Sequence, residues 1–310
     1  MLIVVALGGN ALLRRGAALT SAAQLASIQR ASAALAPLAE GNQLVITHGN
    51  GPQVGLLALQ AAAYDETSGY PFDVLDAQTV GMIGYLLERE LRNHLPARRD
   101  VTTVVTMTRV AADDPAFEEP TKFVGPVYAE EQALELALER GWVVKPDGES
   151  WRRVVASPLP VEIVELRPIT GLIGSGSVVI CAGGGGVPVV RDVSTGNLVG
   201  VEAVVDKDHT SSVLALDLGA ERLIIVTDVA AIFEGWGTDT PRALATVHPD
   251  ALEAMDFPDG SMGPKVAAAC RFARRRDGVA VIGALDDLPA LLTGDAGTVV
   301  TTAHPRTTYR

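Results

Sequence analysis

The sequence predicts an α/β domain built on a mainly parallel sheet with helices on both faces. Two observations carry this. Short runs rich in Val and Ile alternate along the chain with long Ala- and Leu-rich stretches of helical periodicity. The short runs are apolar on both faces, as strands are when helices cover a parallel sheet from either side. The strand runs fall at 2–7, 44–47, 101–107, 178–182, 223–227, 279–282 and 298–301. The helical stretches between them lie at about 21–39, 53–63, 74–94, 203–218, 262–276 and 286–293. In the third of these, Gln78, Met82, Tyr85, Leu86, Arg89 and Glu90 fall within a helix long enough to cross a sheet face.

Three of the strand runs end in glycine-rich turns: Gly8-Gly9-Asn10, His48-Gly49-Asn50-Gly51 and Gly183–Gly186. Consecutive glycines bring bare backbone N–H groups close to a ligand with no Cβ in the way. A helix N-terminus placed after them adds positive partial charge, which suits phosphate or carboxylate. Such sheets bind ligands beyond the C-terminal strand ends, where all three turns lie.

The segment from about 109 to 170 breaks the rhythm with Asp113-Asp114-Pro115, Glu119-Pro120, Gly125-Pro126, Pro146-Asp147-Gly148, Ser157-Pro158 and Pro160. It carries one predicted helix at about 129–140 and a hairpin of 142–144 with 151–155 around Pro146-Asp147-Gly148. This is too long and too structured for a linker, and reads as an excursion that covers a site. The remainder of the 310 residues forms a single domain.

The net charge of −12 excludes a general basic surface for nucleic acid. An acidic protein that handles anions must place individual cations, so lysines in glycine-rich surroundings carry the interest. The group Arg271, Arg274, Arg275 and Arg276 reads as a solvated helix face that complements the helix dipole. Cys181 and Cys270 read as small core residues, and no run approaches a membrane span. The N-terminal run enters the first glycine turn directly and lacks a basic leader, which predicts strand one of a cytoplasmic protein. His48, His94, His209, His248 and His304 show no metal-ligand spacing.

Two strings place lysine at a predicted helix start. Asp206-Lys207-Asp208 sets Lys207 between carboxylates that can orient its ammonium or help hold Mg²⁺ with nucleotide phosphates; an N-cap with a surface ion pair has the same sequence. Ser261-Met262-Gly263-Pro264-Lys265 sets Lys265 facing the anion that a helix N-terminus binds, and also serves as an ordinary cap. Thr227-Asp228-Val229 ends a strand where a nucleotide contact or a plain cap would sit, and Lys122 is a loop lysine. The Walker pattern is absent. Positioned cations and N–H donors without a nucleophile are what phosphoryl transfer requires.

Taken together, these strings resemble the carbamate kinases of the amino acid kinase superfamily over essentially the whole chain. The resemblance rests on 4–12, on 46–55 with its His48-Gly49-Asn50-Gly51-Pro52, on Asp114-Pro115-Ala116-Phe117 and Pro120-Thr121-Lys122, and on Gly183-Gly184-Gly185-Gly186-Val187-Pro188, 200–208 and 260–265. It implies a three-layer αβα sandwich around a mainly parallel eight-stranded sheet, with a small protruding lid subdomain. It implies reversible transfer between ATP and carbamate, giving ADP and carbamoyl phosphate, with Mg²⁺ carried mainly on the nucleotide phosphates, in a homodimer. Lys207 and Lys265 would stabilise the moving phosphoryl group, Lys122 would arrive from the lid, and Asp206 and Asp208 would orient lysine or engage metal. Gly8, Gly9, Asn10, Gly49, Asn50 and Gly51 would hold carbamate and the phosphoryl group. Thr227, Asp228, Val229, Phe233, Met262, Gly263 and Lys265 would contact the nucleotide. Four positions depart from the family pattern: Ala230 replaces an acidic residue, Phe233 a tyrosine, Phe123 a proline and Leu159 a basic residue.

Overall fold

The computed structural model describes residues 1–12, 20–64, 70–257, 261–275 and 278–310. In chain order the first half runs β1 (Leu2–Leu7), α1 (Gly9–Leu12), α2 (Ser21–Leu35), β2 (Gln43–His48), α3 (Gly51–Tyr64), α4 (Phe72–His94), β3 (Val101–Thr103), β4 (Met107–Val110), β5 (Lys122–Tyr128), α5 (Glu130–Arg140), β6 (Val143–Asp147), β7 (Ser150–Val155) and β8 (Pro160–Ile163). The second half runs α6 (Leu166–Gly174), β9 (Val178–Ile180), β10 (Val187–Arg191), β11 (Leu198–Gly200), α7 (Lys207–Leu218), β12 (Arg222–Thr227), β13 (Phe233–Glu234), β14 (Arg242–Val247), α8 (Pro249–Glu253), α9 (Met262–Ala273), β15 (Val279–Ala284), α10 (Leu288–Thr293), β16 (Thr298–Val300) and β17 (Thr308–Tyr309).

The main sheet has the order β13-β14-β16-β15-β12-β1-β2-β9-β3, with β17 paired to β14. Its centre is parallel throughout: β12, β1, β2, β9 and β3 run together, and β15 joins β12 in the same sense. Antiparallel pairing is confined to one edge, at β15–β16 and β13–β14–β17. Among the described residues the ten strands exceed the expected eight by β13 and β17, each two residues long, which extend that edge.

Alternation along β1 makes the layers. Val4 and Ala6 face one core with Ile169 and Ile173 of α6, Val213 and Leu214 of α7, and Phe272 of α9. Ile3, Val5 and Leu7 face the other, with Ile28 and Leu35 of α2, Ile83 and Leu87 of α4, and Leu291 of α10. Each of the residues named is at most 4% exposed, and burying such a side chain contributes roughly 1.5–3 kcal/mol.

Three sequence expectations are corrected. The run 101–107 is two strands: β3 closes one edge of the main sheet, and β4 begins a second sheet of order β11-β10-β4-β8. The helix expected from 203 starts at Lys207, because Ala203 bridges Ala156 and the Val204 N–H donates to the Ala156 carbonyl. The helix expected to reach 276 ends at Ala273; Arg276 lies outside the described residues. Arg274 near that end pairs with Glu253 at 2.6 Å and Asp250 at 2.9 Å.

Within 109–170 the expected helix and hairpin both form: α5 starts after Ala129, and β6 pairs with β7 up to Asp147 opposite Ser150, with Gly148 at φ 66° in the turn. These join β5 in a three-stranded sheet. Val124 and Val155 attach that sheet to Val54, Phe72 and Leu75 of α3 and α4.

Candidate active site

Three parallel strands deliver their C-terminal ends to one cleft. Gly8 follows β1, Gly49 follows β2, and Thr227 closes β12. The first and last approach so closely that a Cβ on Gly8 would sit 3.0 Å from the Val226 carbonyl oxygen. A Cβ on Gly49 would meet the Gly9 nitrogen at 3.2 Å and Lys207 Cδ at 3.4 Å, so the first two glycine turns and Lys207 form one constellation. Among the described residues, and apart from the neighbouring chain and helix backbone, nothing lies within 4 Å of the place a Cβ would occupy on Gly9 or Gly51. Asn10 falls in the turn of α1, and its side chain lies outside the described residues.

The Asp-Lys-Asp string sits where α7 begins. Asp206 caps the helix, its Oδ1 accepting the Asp208 N–H at 2.9 Å. The Lys207 main chain is tied to β2, because Ser211 donates to the Lys207 carbonyl at 2.6 Å and lies 2.6 Å from the Thr47 hydroxyl. Lys122 reaches in from β5 to Asp206 Oδ2 at 3.2 Å. Lys265 reaches in from the first turn of α9 to Asp208 Oδ2 at 3.1 Å, while Lys207 bonds Asp208 Oδ1. Residues 122, 206–208 and 265 thus meet at one point from three elements.

This arrangement has an electrostatic cause and a chemical consequence. Burial alone would raise the Asp206 carboxyl, but Lys122, Lys207 and His209 hold it down at about 2. Burial lowers Lys207 from its ordinary value, and Asp208 opposes that shift by favouring the charged ammonium. All four carboxylate oxygens are engaged by donors from the chain itself, so Asp206 and Asp208 act here as orienters of lysine. Each ammonium has three protons. Lys207 and Lys122 use one apiece in these contacts, and Lys265 uses a second on the Ser261 carbonyl at 3.2 Å. Every lysine keeps a donor for an incoming oxyanion.

From this point a cleft of about 1210 Å³ extends along the ends of β12 and β13. Gly8, Gly9, Thr227, Asp228, Val229, Phe233, Met262 and Lys265 line it. Gly263 follows Met262 in the first turn of α9, and Gly260 lies outside the described residues. The far wall is apolar: Phe233 stands 5.3 Å from Trp236, ring centre to ring centre, with Met255 and Phe257 near by. Of the departing positions, Ala230 is exposed beyond β12, Phe123 lies under the Arg152 guanidinium, and the Leu159 N–H donates to Asp114 Oδ2 at 3.0 Å.

The third glycine turn behaves differently from expectation. Gly183, Gly184 and Gly185 are buried, and the N–H groups of Gly185 and Gly186 donate to Ala182 and Gly183 carbonyls within the turn. Gly185 has φ 102°, and its carbonyl accepts from Thr108 at 2.8 Å and Thr210 at 2.9 Å. A Cβ on Gly183 would strike the His48 ring. These glycines permit close packing beneath the site, and two of their N–H groups turn inward. His48 is wholly buried, and burial holds it down at about 4, so it is neutral near pH 7.

Sequence reasoning missed Trp236 and the pair Asp76 and Thr79, which hold Asn50 from α4. Trp236 carried a signal, being a large aromatic in a Gly/Thr-rich loop. Asp76 carried one as well, being an acid on the helix face that buries Phe72, Val80 and Ile83.

Residues 1–283 match the model of the amino acid kinase family. The carbamate kinase of Rhizobium meliloti is 52% identical over 310 residues, covering 100% of this chain and 96% of that one. The carbamate kinase of Haemophilus influenzae is 50% identical, with 97% of each covered. Among solved structures, the carbamate kinase of Giardia lamblia bound to AMP-PNP superposes with a TM-score of 0.90 at 35% identity, covering 97% of this chain and 98% of that one.

Proposed function

The chain belongs to the amino acid kinase family, and from that premise we propose that it is a carbamate kinase, moving a phosphoryl group reversibly between ATP and carbamate. The convergence of Lys122, Lys207 and Lys265 on the two carboxylates of the Asp-Lys-Asp string carries this reading. Such transfer passes through a state whose charge lies on the oxygens of the moving group, and preorganised donors stabilise that state without reorganising.

In the ADP-consuming direction, carbamoyl phosphate lies against the turns at Gly8-Gly9 and Gly49–Gly51, with the nucleotide along Thr227–Val229, Phe233 and Met262. Lys207 sits between the two and meets the phosphoryl oxygens throughout the transfer. Lys265 neutralises the nucleotide side, and Lys122 closes the third direction. Asp206 and Asp208 hold the three ammonium groups together against their mutual repulsion. Mg²⁺ supplies charge neutralisation on the nucleotide phosphates; the chain's own carboxylates at this point are engaged by lysines, which fits a metal that arrives with the nucleotide.

The segment 109–170 serves as a lid: its β5 carries Lys122, whose side chain is 42% exposed, and closure brings that ammonium onto the phosphoryl group. A cytoplasmic homodimer belongs to the same proposal on family resemblance. The deciding assay is ATP formation from ADP and carbamoyl phosphate. Steady turnover is expected; its absence in folded, Mg²⁺-supplied protein overturns the proposal.

A further inference from the structure

The geometry around Asn50 goes further than substrate binding. Asn50 is 4% exposed at the start of α3, between Gly49, which abuts Gly9 and Lys207, and Gly51. Its amide nitrogen donates to Asp76 Oδ1 and, at 2.7 Å, to Thr79 Oγ1. Thr79 gives its own proton to the Asp76 main-chain carbonyl, also at 2.7 Å, so toward Asn50 its oxygen is an acceptor. An ionised carboxylate is an acceptor only. Both protons of the Asn50 amide are therefore committed inward. While Asp76 is ionised, the reversed amide would set its oxygen against two acceptors, so the orientation is fixed by chemistry.

The pocket that holds the amide is closed. Asp76 is 3% exposed and Thr79 fully buried. On the other side Gly184, at φ 71°, leaves space that a Cβ would fill by striking the Asn50 amide. Asn50 Oδ1 has no hydrogen-bond partner among the described residues, although its own nitrogen has two. A rigidly held acceptor with a free lone pair, next to the turn whose Gly49 abuts Gly9 and Lys207, is suited to a hydrogen-bond donor on the ligand, such as an amino N–H.

We propose that Asp76 and Thr79 are positioning residues that fix Asn50 so that its Oδ1 accepts a hydrogen bond from the amino group of the acyl substrate, which makes Asn50 the residue that tells a carbamoyl group from an acetyl group. The inference rests on the carbamate kinase reading above. A methyl group has nearly the shape of an amino group but donates nothing, and it would leave Oδ1 unpaired beneath the bound ligand. Sites of this design reject the analogue that lacks the donor.

The test compares kcat/KM for carbamoyl phosphate and for acetyl phosphate, each with ADP, in native protein, Thr79→Val and Asp76→Asn. Valine keeps the shape of threonine without the acceptor. Asparagine at 76 can donate as well as accept, so it no longer dictates the orientation of the facing amide. Native protein should prefer carbamoyl phosphate. In both variants the ratio should fall roughly tenfold, the size of one well-formed hydrogen bond, with KM for ADP little changed. Parallel loss on both donors, leaving the ratio unmoved, means that the network is merely structural and overturns the proposal. A native ratio near one overturns it while leaving the kinase reading intact. Native protein that turns over neither donor refutes both.

Discussion

The lysine cluster at the start of α7 and the aromatic rim beyond β12 face the same cleft but are built in opposite ways. At the cluster, Asp208 is 3% exposed on its side chain, and each carboxylate oxygen already has a donor. At the rim, Trp236 is 69% exposed, and Phe233 offers it a tilted ring rather than a hydrogen bond. Charge taken out of water is costly unless paired, so the cluster must be organised before any ligand arrives. Apolar surface bears exposure at little cost, so the rim can wait for a base to cover it. On the proposed function, chemistry is thus placed in the fixed part and recognition in the adaptable part.

Breaking the fixed part should have the largest effect. Asp208→Ala leaves Lys207 and Lys265 facing each other without their shared partner, and should cost about 3–5 kcal/mol of stability, read from urea unfolding. A loss below about 1 kcal/mol would mean that the cluster is not preorganised. Lys122 belongs to the cluster by contact but is half exposed, so its contribution depends on closure. Lys122→Ala should lower kcat by roughly 10–100-fold, the worth of one hydrogen bond to a charged group. Amide exchange across 109–170 should slow when ADP and carbamoyl phosphate are both present. Exchange unchanged by proven binding removes the lid from the account.

Asp76 tests whether preorganisation carries a stability cost. Burial pushes its carboxyl up to about 7, against the lowering effect of Asn50 and with a further push from Asp73. The folded protein therefore holds this proton more tightly than the unfolded chain, where a carboxyl titrates near ~4. Between those values the folded state binds more protons, so this group's contribution falls as pH rises from about 4 to about 7. Asp76→Asn should be more stable than native protein at pH 8 by roughly 1–2 kcal/mol, a gain that shrinks toward pH 5. Native kcat/KM for carbamoyl phosphate should decline as pH falls below about 7, a limb the variant lacks. Equal stability at pH 8, with the limb retained, would remove Asp76 from both roles.

The smallest effect belongs to the rim. Phe233→Tyr adds one neutral hydroxyl, worth about 0.5–1.5 kcal/mol, so kcat/KM for ADP over GDP should shift only a few-fold. A native preference above a hundredfold, unmoved by the substitution, would take Phe233 out of base selection.

The sequence showed the main sheet because burial on both faces leaves a pattern that local composition carries. Strand β2 was read within a residue at each end, and β1 at both ends. The break between β3 and β4 was invisible, since Val104, Val105 and Thr106 continue the strand-like composition while the chain changes sheet. Four unhelical residues before Lys207 were invisible for a related reason: the run continues the apolar composition of the helix, and the distant Ala156 and Ser157 draw Ala203 and Val204 out of it. The lysines were legible as individual strings, but their meeting depends on three elements remote in sequence. At Gly183–Gly186 the inward turn of the Gly185 and Gly186 N–H groups was hidden, because composition does not reveal where backbone donors point. Asp76 and Thr79 were missed because their importance lies in which protons of Asn50 they consume.

On the proposed mechanism, Lys207 stabilises charge on the moving phosphoryl group rather than merely binding nucleotide. Its most direct test measures kcat and the ADP Kd side by side in Lys207→Ala, with native-like folding confirmed. The variant's kcat should be lower by roughly 10²–10³, the size typical of one preorganised donor, with Kd changed by less than about tenfold. Near-native turnover, or a loss that appears wholly in Kd, would contradict it.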